Sequence, residues 1–225
     1  MSSIIVAMDG PAGSGKSSVS RAAAKALGYA YLDTGAAYRV LALRCLNEGI
    51  DTHGPTDVIE SLDSFELTLG TDPERVFARL GSEDVTTDIR EPRVSGKVSA
   101  IARIPEVRAH LNAHFRRAMA DAPQPGIIVE GRDITTVVAP DAPVRILLTA
   151  TEEVRMGRRS AELSGVSAGS TALELSSRDR ADMRVVDFMN AAAGVTTIDS
   201  TTLSFEQTVQ AVVDLVRATT SAPAG

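Results

Sequence analysis

The stretch DGPAGSGKSS, residues 9–18, restricts this chain more than any other. It runs Gly10-x4-Gly15-Lys16-Ser17, a spacing in which main-chain N–H groups wrap a polyphosphate, a lysine reaches its outer phosphates and a hydroxyl ligates Mg2+. Such a loop is expected between a strand and a helix. IIVAM at 4–8 supplies the apolar strand, and Val19, Ala22, Ala23, Ala26 and Leu27 recur at helical spacing until Gly28 closes the helix. Gly10, Pro11, Ala12, Gly13, Ser14, Gly15, Lys16, Ser17 and Ser18 are therefore candidates to hold nucleotide phosphates, with Ser17 as the metal ligand.

Beyond the loop, YAYL (29–32), IIVE (127–130), VRILLT (144–149) and TTIDS (196–200) read as further strands, each separated from the next by helical segments. Strands alternating with helices predict an α/β fold: a doubly wound parallel sheet of five strands. Between 64 and 86, FELTL, RVFARL and DVTT are divided by Gly, Asp and Pro turns, which predicts a small antiparallel sheet inserted into the series. Two helical segments follow it, the second opened by Pro105. Thr151, Glu152 and Glu153 open another helix, and Ser204-x-x-Gln207 forms a capping box for the last. Phe205, Val209, Val212, Val213 and Val216 lay one apolar stripe on that closing helix, and the tail after 218 reads as frayed.

A chain of 225 residues suits one domain with insertions. Its net charge of −6, absence of Trp and eight aromatics provide neither the basic footprint nor the stacking platforms of a nucleic-acid polymer binder. No apolar run reaches the length of a membrane span and the N-terminus lacks a secretory layout, so a cytoplasmic protein is expected. The single Cys45 sits within an apolar helical pattern as a buried thiol, and His53, His110 and His114, with no partners at metal-ligand spacing, are expected to be solvated.

Lysine is confined to positions 16, 25 and 97, and arginine carries the rest of the positive charge. A guanine-nucleotide switch would select its base with Asn-Lys-x-Asp, and none of Asn47, Asn112 or Asn190 precedes a lysine. A kinase would instead need cations at its acceptor. Two phosphate groups must meet there, and unit charges ~4 Å apart repel by about 4 kcal/mol at an effective dielectric of ~20. A kinase acting on a nucleoside monophosphate or on a small metabolite satisfies this reading, and a switch is the remaining class.

LDTGAAYRVLAL (32–43), VSAIARIPEVR (98–108), VEGRDITTVVAPDAPV (129–144), SSRDRADMR (176–184) and IDSTTLSFEQ (198–207), together with the loop, resemble bacterial cytidylate kinases of the nucleoside-monophosphate kinase group. The resemblance spans nearly the whole chain. It implies one P-loop kinase domain over 1–225, an acceptor-nucleotide subdomain over 35–120 that includes the 64–86 insertion, and a lid over 151–184. It implies ATP and CMP or dCMP as substrates, Mg2+ bound with ATP, and a monomer.

By the same resemblance Thr34, Tyr38, Arg39, Gly131 and Arg132 face the acceptor, with Arg39 and Arg132 clamping its phosphate beside Lys16 as the catalytic cations. Ser99, Arg108 and Asp133 read cytosine: a carboxylate accepts from its amine and an arginine donates to its ring nitrogen, so uracil meets an unpaired carboxylate. Arg178, Asp182 and Arg184 are implied for the sugar, although Arg184 comes one residue early for the family spacing and is rotated roughly 100° away on a regular helix. Thr135 and Ala139 stand where the family usually has Gly and Phe, and the lid is short. Arg155, Arg158 and Arg159 share a helix face, either as a lid closing on the ATP phosphates or as partners of Glu152 and Glu162. Asp33 serves either to orient a Mg2+-bound water or to cap the next helix.

Overall fold

The structure is a computed structural model that describes residues 3–162 and 187–221. Five parallel strands form its centre: β1 (Ile4–Asp9), β2 (Ala30–Asp33), β6 (Gly126–Gly131), β7 (Val144–Thr149) and β8 (Thr196–Asp199), in the order β2-β6-β1-β7-β8. The expected strands are all present and end within about a residue of their predicted limits. Alternation within these strands divides the core in two. Ala7, Leu32, Ile127 and Val129 face one side, where they pack with Ala37, Val40 and Leu41 of α2 (Thr34–Glu48) and Ile101, Leu111 and Phe115 from α4 (Pro92–Ala102) and α5 (Pro105–Asp121). Val6, Met8, Tyr31, Ile128, Ile146 and Leu148 face the other, against α1 (Lys16–Leu27) and the closing helix α7 (Phe205–Ser221). Burying each large apolar side chain contributes about 1.5–3 kcal/mol relative to leaving it exposed.

The helices start and stop where local chemistry directs. Gly15 (φ 85°) and Gly28 (φ 69°) bracket α1, and Gly49 (φ 70°) ends α2, all in the left-handed region that favours glycine. Pro92 and Pro105 open α4 and α5. The expected capping box closes reciprocally: the Gln207 N–H donates to Ser204 Oγ at 3.2 Å and the Ser204 N–H to Gln207 Oε1 at 2.8 Å.

The insertion is a three-stranded antiparallel sheet of β3 (Leu67–Leu69), β4 (Ala78–Leu80) and β5 (Glu83–Asp84). Its last strand is earlier and shorter than the DVTT segment predicted. Asp84 Oδ1 accepts from Thr86 N and Thr86 Oγ1, a local turn that takes the backbone out of the ladder. The short helix α3 (Pro55–Glu60), which the sequence reading did not assign, precedes it. The closing helix differs in two respects from expectation. Phe205, its first residue, is 48% exposed, and the buried stripe begins instead at Thr208; the helix also continues to Ser221 rather than fraying after 218.

The β3–β4 connection folds back on the main sheet. Thr71 C=O accepts from Tyr31 N at 2.9 Å beside edge strand β2, Arg21 of α1 donates to the Pro73 and Glu74 carbonyls, and Lys25 pairs with Glu74. The insertion therefore rests on the helix that the phosphate loop opens.

Candidate active site

The carboxyl ends of β1, β2 and β6 meet where the strand order reverses, the usual ligand crevice of an open parallel sheet. The phosphate loop leaves β1 here. Gly13 (φ 77°) and Gly15 need left-handed backbone, and a Cβ on Gly13 would lie 2.7 Å from the Arg155 carbonyl oxygen. Lys16 and Ser17 begin α1 at the cleft, with Ser18 exposed beside them.

Glu130, on the penultimate residue of β6, is the centre of this meeting. It is 3% exposed, accepts the Ser17 hydroxyl at 2.6 Å and lies 3.8 Å from Lys16 Nζ, while its carbonyl accepts from Thr34 Oγ1 at 2.8 Å. Burial raises its pKa, the charge of Asp33 adds to this, and Lys16, Ser17 and Arg39 oppose it. Asp9 ends β1 in a comparable position; burial raises it too, against the Thr135 and Ile134 hydrogen bonds that favour its charge. Neither acid was nominated from sequence. The available signal was an acidic residue closing an apolar strand directly before a glycine, in IIVAMDG and IIVEG.

Asp33 caps α2, accepting from Ala36 N at 3.0 Å, so the capping role is realised; the same carboxylate lies 3.7 Å from Arg90 Nη2 and lines the cleft. That cleft is also lined by Lys16, Thr34, Tyr38, Arg39, Ser99, Arg108, Gly131, Arg132 and Asp133, together with Val98 and Ala102. Segments far apart in sequence thus converge here. Arg108 donates to Asp133 Oδ2 at 2.6 Å, which sets a cationic donor and an anionic acceptor side by side. Burial raises the Asp133 pKa, and Arg108 counters it. The Tyr38 hydroxyl is raised as well, chiefly by burial. Arg132 donates to the Gly10 carbonyl and stacks over Phe188, its guanidinium carbon 4.5 Å from the ring centroid.

Arg155 and Arg158 of α6 (Glu152–Glu162) fasten that helix to the rim of the loop. Arg155 donates to the Ala12 carbonyl at 2.9 Å, and Arg158 to the Ser14 carbonyl at 3.2 Å and to Ser200. Arg178, Asp182 and Arg184 lie outside the described residues, as do the side chains of Arg159 and Glu162. His114 is half-buried rather than solvated, and burial lowers its pKa. It lines a separate groove of about 410 Å3 with Phe65, Glu66, His110 and Arg117, a groove to which the phosphate loop contributes no residue.

Comparison with known proteins agrees with this geometry. A family model described as cytidylate kinase matches residues 6–218. A cytidylate kinase of Cutibacterium acnes is 46% identical over 220 residues, 97% of this chain and 98% of its own. Those of Streptomyces coelicolor and Streptomyces avermitilis are 44% and 42% identical, each over 95% of this chain and 92% of the relative. With a phosphate-loop motif opening onto a cleft lined by Arg39, Arg108 and Arg132, and with likeness along nearly its entire length, the chain belongs to the cytidylate kinase family.

Proposed function

We infer that the chain transfers the terminal phosphoryl group of ATP to CMP or dCMP, giving ADP and the nucleoside diphosphate. The loop of residues 10–18 holds the donor, Lys16 gathers charge on its outer phosphates, and Arg39 and Arg132 align the acceptor phosphate. No general base is needed, because a phosphate monoester with a second pKa near ~6 is already the dianionic nucleophile at neutral pH. Holding two such groups in line supplies most of what phosphoryl transfer requires.

The observation that carries the choice of base is the Arg108–Asp133 pair within the cleft that Lys16 also lines. Cytosine offers an amine donor beside a ring-nitrogen acceptor, the complement of this pair; uracil offers an oxygen and an N–H in the same places and leaves both partners opposed. Ser99 lies in the same wall.

Mg2+ fits the donor side. Among the described residues no three His, Cys, Asp or Glu side chains form a cage, and Mg2+ is ordinarily held by one or two protein oxygens with phosphates and water. Ser17, 2.6 Å from Glu130, offers hard oxygen of that kind, and Asp33 lies within electrostatic reach. When bound, the ion draws charge from the donor phosphate oxygens. Residues 35–120 act as the acceptor-nucleotide subdomain and 151–184 as the lid, with Arg155, Arg158 and Arg159 on its donor-facing helix. Both halves of the cleft come from one chain, which suits a monomer, and its substrates suit the cytoplasm. Among the described residues no helix is long and apolar enough to cross a membrane.

A coupled assay of ADP release with CMP, dCMP, UMP and AMP in turn tests the reading. CMP is expected to give the highest kcat/KM, and a preference for UMP or AMP overturns it.

A further inference from the structure

Asp9 is 3% exposed, and its carboxylate accepts three hydrogen bonds from one short segment: from Ile134 N at 2.8 Å, Thr135 N at 2.9 Å and Thr135 Oγ1 at 2.6 Å. These donors directly follow Gly131-Arg132-Asp133. Arg132 in turn reaches back to the carbonyl of Gly10, the neighbour of Asp9. Asp9 and Gly131 also face each other in the β1–β6 register. The entrance of the phosphate loop and the segment bearing two acceptor-side groups are thus stapled together at their roots.

The stapled segment needs outside support. Residues Ile134–Val138 form a π-helical turn, in which Val138 N donates to the Asp133 carbonyl and Ala139 N to that of Ile134. Such wide turns are rare and rarely self-sufficient. Here its first N–H groups go to Asp9. Three of its carbonyls accept from arginines, that of Thr135 from Arg145 and those of Val137 and Val138 from Arg116. The Thr135 side chain supplies the shortest of the three donors to a carboxylate shut away from water, where each missing donor is costly.

We propose that Thr135 is a positioning residue for phosphoryl transfer, its hydroxyl locking Asp9 so that Arg132 and Asp133 stay in register with the phosphate loop. It touches neither nucleotide in this reading and acts through Asp9. The inference rests on the acceptor-side roles given above to Arg132 and Asp133. A displacement of about 1 Å at a group that aligns substrates can cost on the order of 100-fold in rate, so a loosened turn is visible in kinetics before it is visible in folding.

The test compares Thr135→Val, which keeps the shape and removes the O–H donor, with Thr135→Ser, which keeps the donor. Steady-state kcat, KM for CMP and KM for ATP are measured alongside thermal melting. The valine variant is expected to lose about tenfold in kcat and to raise KM for CMP several-fold, with KM for ATP within about twofold of wild type; serine is expected to restore both losses. If the valine variant does not fold, Thr135→Ala carries the same comparison. Wild-type kcat and KM for CMP in the valine or alanine variant overturn the proposal. So does a loss that serine fails to restore, or one that falls equally on ATP and CMP. Failure of the wild-type protein itself to turn over CMP would instead defeat the functional reading.

Discussion

On the proposed donor side of the cleft, the consecutive residues 10–18 turn from β1 into α1, and in the proposed reading their main chain is the binding surface. The proposed acceptor side draws Thr34 and Arg39 from α2, Ser99 from α4, Arg108 from α5 and Arg132 and Asp133 from just beyond β6. The first kind of site is a matter of backbone shape and is vulnerable to any added Cβ, as at Gly13. The second is a matter of side-chain chemistry that long-range packing brings together. Substitutions on the two sides should accordingly damage different kinetic constants.

Lys16 gives the largest expected effect. Its side chain is 14% exposed and its ammonium lies 3.8 Å from Glu130, the carboxylate that also accepts the Ser17 hydroxyl. Lys16→Met is expected to reduce kcat by roughly 10³-fold, in the range found when one preorganised charge-stabilising donor is removed, while KM for CMP changes little. Steady-state kinetics varying each substrate in turn would check this. A CMP affinity that falls as far as kcat would show that the two sides are not separable.

Asp133→Asn probes the opposite side and should spare ATP. Asparagine keeps the volume but presents an amide where the carboxylate accepted, and it breaks the 2.6 Å bond from Arg108 into a weaker neutral one. The ratio of kcat/KM for CMP over UMP is expected to drop by about 100-fold, because sites built to satisfy a polar edge discriminate by leaving it unpaired otherwise. Competition between the two monophosphates reads the ratio directly. An unchanged ratio places base reading elsewhere in the cleft.

The same contrast governs what could be read from the sequence. The donor loop, its strand and its helix were legible because glycine spacing, an apolar run and a 3.6-residue period are local. The five parallel strands followed for the same reason. Ser99 and Arg108 are ordinary helical residues by pattern, and only their likeness to a known family singled them out; the packing of α4 and α5 against α2 makes them neighbours of Asp133. The one local signal of Glu130 and Asp9, an acid closing an apolar strand before a glycine, does not by itself separate a buried acid with partners from one at a strand's exposed end. Glu130 acquires its meaning from Ser17, which lies 113 residues away in sequence. The third strand of the insertion was misplaced because one threonine hydroxyl outcompeted the ladder. Phe205 was misplaced because a helical period cannot tell where a helix first lies over the sheet.

Glu130 sits at the joint between the two sides, and its substitution sharpens the comparison through stability rather than rate. Its folded pKa is raised, above all by burial. A carboxyl raised in this way favours folding while protonated: that contribution is complete below the unfolded value of about 4.3 and is lost as pH rises through the folded value. Above that folded value the charge is therefore a net cost to the fold, although the same carboxylate accepts the Ser17 hydroxyl and lies 3.8 Å from Lys16. Glu130→Gln removes the charge with little change of shape. Its Tm is expected to exceed that of the wild type by about 2–4 °C at pH 7.5, the shift that ~1 kcal/mol produces in a domain of this size, while kcat falls. The gain in Tm should shrink towards zero as the pH is lowered below the unfolded value of about 4.3, where Glu130 is protonated in both the folded and the unfolded chain. Paired melting curves across that range decide the matter: a glutamine variant that melts below wild type at neutral pH, with a gap that does not close in acid, would make Glu130 a stabilising partner of Lys16 rather than a strained joint between the donor and acceptor sides.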